Sequence, residues 1–105
     1  MEMEAMPFST KYRRDSSVRR RRSHDDIFLI RHNDLVRIDS FSDAVFTLCD
    51  GTADALTMIK AMVSQYPDRD PVSVAAHTLY NLEYFTRRGL IQDADGGQLD
   101  RNRRG

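Results

Sequence analysis

The side chains able to do covalent or metal chemistry are scattered along this sequence. His24, His32 and His77 have no cysteine or carboxylate at the spacing a zinc site uses. Cys49, the single cysteine, falls beside the buried face of a helical pattern, where a small apolar role suits it better than a nucleophile's. Asp50 and Asp54 read as helix-end residues with no acid–base partner, and Asp95-Gly96-Gly97 lies in a polar tail rather than in a phosphate-binding loop. No catalytic residue, metal site or cofactor is expected. The chemistry left is recognition.

Two stretches carry it. On a helix spanning 71–88, positions 77, 80, 81, 84 and 88 fall on one shoulder, which places His77, Tyr80, Asn81, Tyr84 and Arg88 side by side. Tyrosine and arginine dominate binding hot spots. The neighbouring arc of Val74, Ala75, Thr78, Leu79, Leu82, Phe85 and Thr86 is expected to face the core. A second role is open to Tyr80 and Tyr84, which could instead lean over a hairpin and complete the core. The other stretch is Leu35-Val36-Arg37-Ile38, whose alternation sets Val36 and Ile38 on one face and Leu35 and Arg37 on the other. As the last strand of a meander it would be an open edge, and an open edge invites an extended peptide to add as a further strand. An arm or tail of the chain itself could also cover it.

The elements that must position these residues are well punctuated. Ile27-Phe28-Leu29-Ile30 and Leu35–Ile38 read as strands joined by a turn at His32-Asn33-Asp34. Residues 17–21 could pair with 27–30 through Ser23-His24-Asp25-Asp26. A first helix near 41–49 shows Phe41, Ala44, Val45 and Leu48 at i, i+3, i+4, i+7, with Asp39 or Ser40 as cap and Gly51 as stop. A second near 54–66 has Thr52 as cap, Asp54 in its first turn, and Leu56, Ile59, Val63 and Tyr66 as apolar face flanked by Met58 and Met62. The third opens on Asp70-Pro71 and closes on Arg88-Gly89. An α+β winged helix-turn-helix is expected, a three-stranded antiparallel sheet packed on three helices.

Length and charge bound the rest. One domain is expected over residues 17–91, between a flexible arm at 1–16 and a disordered tail at 92–105. Deleting residues 1–10 and 94–105 is expected to leave it folded. A core this small buries roughly 60% of the surface of the unfolded chain, so a bound partner would add useful stability. No run approaches the ~18 apolar residues of a membrane span, no secretory signal is apparent, and the lone cysteine fits a reducing cytoplasm. The net charge of zero hides +4 in residues 1–22, −7 in 23–100 and +3 in the last five. Arg19–Arg22 reads equally as a solvated basic run, an edge-strand guard or a contact site.

Taken in order, Leu35-Val36-Arg37-Ile38-Asp39, Ala44, Leu48-Cys49-Asp50-Gly51-Thr52, Ile59, Tyr66-Pro67, Leu79, Leu82 and Arg88-Gly89-Leu90-Ile91 resemble the PqqD-like family. Its members are precursor-peptide recognition elements of ribosomally synthesised, post-translationally modified peptide pathways. The resemblance spans about residues 18–91 and implies a non-catalytic adaptor without a cofactor. Such an adaptor binds the leader of a precursor peptide and presents it to a radical iron–sulfur enzyme, a cyclodehydratase or a leader peptidase. The leader would add beside the third strand, against the third helix. On this chain the implied peptide-binding residues are Leu35, Val36, Arg37, Ile38, Val74, His77, Tyr80, Asn81, Tyr84 and Arg88. The hairpin turn departs from the family: members of the quinone-cofactor pathway carry Pro-Glu-Gly where this chain has His32-Asn33-Asp34, which points to some other peptide product.

A DNA-binding regulator is the competing reading of a winged helix. Residues 53–84 supply only Lys60 and Arg69 as cations against Asp54, Asp68, Asp70 and Glu83. The helices that would enter a groove thus lack the phosphate contacts that dominate affinity for nucleic acid.

Overall fold

Two tight turns organise the main sheet. In the computed structural model, which describes residues 10–94, the elements are β1 (Lys11–Arg14), β2 (Arg19–Ser23), β3 (Asp26–Arg31), β4 (Asp34–Ile38), α1 (Ser40–Leu48), β5 (Asp50–Asp54), α2 (Ala55–Gln65), α3 (Pro71–Arg87) and β6 (Ile91–Asp93). The turns His24-Asp25 and His32-Asn33 join β2, β3 and β4 into an antiparallel meander, with β2 and β4 as its edges. His24 and His32 each take a positive φ, 57° and 56°, a conformation histidine tolerates better than most residues. Rows across the sheet run Arg20–Leu29–Val36 on the inner face and Arg21–Phe28–Arg37 on the outer. The inner side chains Ile27, Leu29 and Val36 are buried, and Leu29 and Val36 join the core that the helices share.

Three aspartates start the three helices in the same way. Asp39 accepts from the Ser42 amide at 2.8 Å, Asp54 from Thr57 at 2.9 Å and Asp70 from Ser73 at 3.0 Å. Each such cap contributes about 1 kcal/mol. Those amide bonds hold the Asp39 and Asp54 carboxyls below the usual carboxylate range. Gly89 ends α3 at φ 74°, with its N–H on the Thr86 carbonyl at 3.0 Å and the Leu90 N–H on the Phe85 carbonyl at 2.9 Å. That paired closure is a Schellman motif. Gly89→Ala is expected to cost about 1–2 kcal/mol, the left-handed penalty of an L-residue. Urea denaturation checks it, and an unchanged midpoint would contradict it.

The α+β class and the three-stranded antiparallel sheet with three helices are as expected, consistent with a winged-helix-like arrangement. A second sheet is additional. β1 lies between β5 and β6, with Lys11 opposite Asp54, Arg13 opposite Asp50, and Tyr12 buried. The expected flexible arm at 1–16 is therefore corrected at Lys11–Arg14, which pairs with β5 and β6, and Arg14 donates to the Thr47 carbonyl at 2.7 Å. Likewise β6 carries ordered pairing past residue 91, to Asp93. Residues 1–9 and 95–105 of the expected arm and tail lie outside the described residues.

Three local expectations change with that sheet. Helix α1 stops at Leu48 with Cys49 as cap, and Gly51, at φ 93°, belongs to β5 instead of ending the helix. Asp54, not Thr52, caps α2, because β5 runs directly into the helix. The buried side of α2 is Ala55, Met58 and Met62, whereas Leu56 is 49% exposed and Ile59 and Val63 are only partly covered. The expected apolar face was turned about one position from the real one. On α1, Phe46 is buried while Ala44 and Leu48 only border the core. On α3, Val74, Thr78, Leu82 and Phe85 are buried as expected, but Thr86 is exposed and Asn81 takes a buried place.

Candidate functional site

Register decides which backbone groups of β4 are free. The residues closing a two-residue hairpin exchange hydrogen bonds, and bonded and non-bonded pairs then alternate. With Arg31 opposite Asp34, the bonded pairs are Leu29/Val36 and Ile27/Ile38. Leu35 and Arg37 therefore turn N–H and C=O away from β3, toward an edge that no other strand among the described residues pairs. The first hairpin gives the same parity: with Ser23 opposite Asp26, Arg21 and Arg19 bond to β3 and Arg20 and Arg22 face outward. Both turns demand one consistent alternation along β3.

Beside the β4 edge, side chains of β4, α1 and α3 line a cleft of about 260 Å³. Its walls are Arg37 and Ile38 from β4, Asp39 and Ser42 at the start of α1, and Tyr80, Asn81 and Tyr84 from α3. The rings of Tyr80 and Tyr84 stack with centroids 6.3 Å apart. Tyr80 is 63% exposed, whereas Tyr84 is half-buried and borders the core. Completing the core thus describes Tyr84 in part and Tyr80 not at all. Asn81 is buried, with its amide donating to the His77 carbonyl at 3.0 Å.

One end of this edge is tied to α3. Arg88 donates to both oxygens of Asp34 at 2.9 and 3.0 Å, and its guanidinium lies 5.5 Å from the Tyr84 ring centroid. The other end runs past Arg37, Ile38 and Asp39 to Asp25 and Asp26 in a second recess.

Five of the ten expected residues, Arg37, Ile38, Tyr80, Asn81 and Tyr84, meet in the cleft, and Arg88 fixes its end. The other four stand apart. Val74 is 1% exposed and belongs to the core. Val36 points inward at 6% exposure and offers its row in the sheet rather than a surface. His77 stacks on Phe41 at 4.1 Å between ring centroids, and Leu35 is exposed on the outer face of the sheet. Asp39 and Ser42 line the cleft unanticipated. The only hint was the Asp-x-x-Ser cap directly after the strand, which starts α1 at the strand's end.

Elsewhere, Cys49 is fully buried and its thiol is pushed up to about 12 by that burial. Among the described residues no three histidine, cysteine or carboxylate side chains converge on a possible metal position. No helix in the described residues is long and apolar enough to cross a membrane.

No family model and no curated protein matches the chain in sequence. Among solved structures, TbiB1 in complex with the TbiA(beta) leader peptide is similar, with a TM-score of 0.63 and 13% identity. The match covers 76% of this chain and 94% of that one. At that identity the likeness establishes the fold.

Proposed function

We propose that this protein binds the leader segment of a ribosomally made precursor peptide and presents it to a separate maturation enzyme, without chemistry of its own. The observation that carries this is the open β4 edge, with outward amides at Leu35 and Arg37, lying beside the Tyr80–Tyr84 cleft. An extended leader would take main-chain hydrogen bonds from the edge, and alternate side chains would enter the cleft. The leader-bound state of the TbiB1 structure supports the reading, as does the resemblance to PqqD-like recognition elements. On that resemblance the receiving enzyme is a radical iron–sulfur enzyme, a cyclodehydratase or a leader peptidase, acting with this adaptor in the cytoplasm.

The test is calorimetric titration with the leader of a precursor encoded beside this protein. Tyr80→Ala and Tyr84→Ala are expected to weaken binding by ~1–3 kcal/mol, as aromatic hot spots do. Because Tyr80 is mostly exposed, its variant should keep the parent's melting temperature. Lys60→Ala, on an exposed turn of α2, should bind as the parent does. Unchanged affinity in both tyrosine variants would contradict the site.

One observation favours a second reading. Among the described residues the guanidinium groups of Arg19, Arg21 and Arg22 have no hydrogen-bond or ion-pair partner, and all five residues of β2 are exposed. If these bound duplex DNA, affinity would fall steeply with salt. Titrating duplex DNA at two salt concentrations separates the readings, and we expect no specific binding at either.

A further inference from the structure

We propose that Arg37 selects for charge, admitting peptides with a carboxylate on the outward side of the added strand, next in sequence to a side chain seated in the cleft. This rests on the strand-addition reading above and specifies the peptide it takes.

A strand added to β4 must alternate as β4 does. Residues beside Val36 and Ile38 turn inward to the cleft, and residues beside Leu35 and Arg37 turn outward. The two sides differ in charge. Outward, the row Arg21–Phe28–Arg37 sets two guanidinium groups across one aromatic ring, and Arg19 stands two residues from Arg21 on the same face. Arg37 has one weak partner, Asp26 at 3.6 Å, and its side chain is 70% exposed. Arg21 and Arg19 have none among the described residues. Next to Arg37, an incoming strand therefore meets a guanidinium that Asp26 balances only loosely.

Inward, the sign is reversed. The cleft holds the Asp39 carboxylate, while Arg37, which borders it, turns its guanidinium outward to Asp26 on the other face of the sheet. Asp39 stays ionised because it caps α1, and the cation at the far end, Arg88, is engaged by Asp34. A carboxylate turned inward would be repelled, whereas an uncharged aromatic or aliphatic side chain suits Tyr80 and Tyr84. Neighbouring residues of one strand thus meet opposite demands, and a one-residue slip exchanges them. The charge pattern would therefore set register as well as partner.

The probe is a displayed library of random short peptides, selected against the full chain. Enriched peptides are expected to carry Asp or Glu adjacent to an aromatic or aliphatic residue. Replacing that carboxylate by its amide should weaken binding roughly two- to fivefold, the range of a cross-strand charge pair. The difference should shrink in high salt and vanish in Arg37→Gln, which keeps the side chain polar and the exposed site folded. Selection against Arg37→Glu should enrich Lys or Arg at the same place. A carboxylate preference that is absent, or that survives Arg37→Gln, overturns the charge selection and leaves peptide binding standing. If no peptide is enriched at all, the binding function falls and the charge selection with it.

Discussion

Arg37→Pro is expected to leave the domain folded while weakening leader binding roughly five- to a hundredfold, whereas Val36→Pro should unfold the sheet. The two positions are neighbours on one strand and differ only in where the backbone N–H points. At Arg37 it faces the open edge, where proline is tolerated. The substitution removes one donor from an added strand and leaves that strand's acceptor unsatisfied, a loss of ~1–3 kcal/mol. At Val36 the N–H bonds to Leu29 inside the sheet, and the side chain is buried. Circular dichroism and calorimetry on the two variants check this pair. Equal binding by Arg37→Pro and the parent would remove the edge from the account.

Phe85→Ala should be the most destabilising single truncation. Phe85 is the largest fully buried side chain among the described residues and meets the Phe46 ring edge-on at 5.6 Å, joining α3 to α1. Phe→Ala in a packed core costs ~3–5 kcal/mol, a large share of the ~5–15 kcal/mol that holds a domain together. Urea denaturation should show a much lower midpoint at an unchanged slope. Added leader should recover part of the loss, since a ligand of the native state raises apparent stability. A midpoint within error of the parent's would mean that α3 is not anchored through this ring.

How much of this was legible in the sequence follows from the range of the interactions. The β3–β4 hairpin and the three helices rest on local signals: alternation, two His-containing turns, and the Asp39, Asp70 and Gly89 punctuation. The sheet of β5, β1 and β6 joins segments tens of residues apart, and no local pattern announces it. Asp50-Gly51-Thr52 therefore looked like a helix stop followed by a helix start, when it is a strand paired to Lys11–Arg14. The phase of α2 was lost for the same reason. Two apolar sets share that helix at similar spacing, and β5 entering directly at Ala55 turns Met58 and Met62 inward. At the candidate site, helical spacing was enough to group Tyr80, Asn81 and Tyr84. It could not distinguish Val74, buried in the core, from its neighbours on the cleft, nor place Asp39 and Ser42 opposite them.

Strand addition at β4 is the central claim, and amide hydrogen exchange followed by NMR tests it most directly. Among the described residues the β2–β3–β4 sheet has two unpaired edges with known parity: Leu35 and Arg37 face outward on β4, Arg20 and Arg22 on β2. On saturation with the leader peptide, exchange at Leu35 and Arg37 should slow sharply, while Arg20 and Arg22 keep their free-state rates. Protection at Arg20 and Arg22, with Leu35 and Arg37 unchanged, would place the peptide on the basic edge and contradict the account.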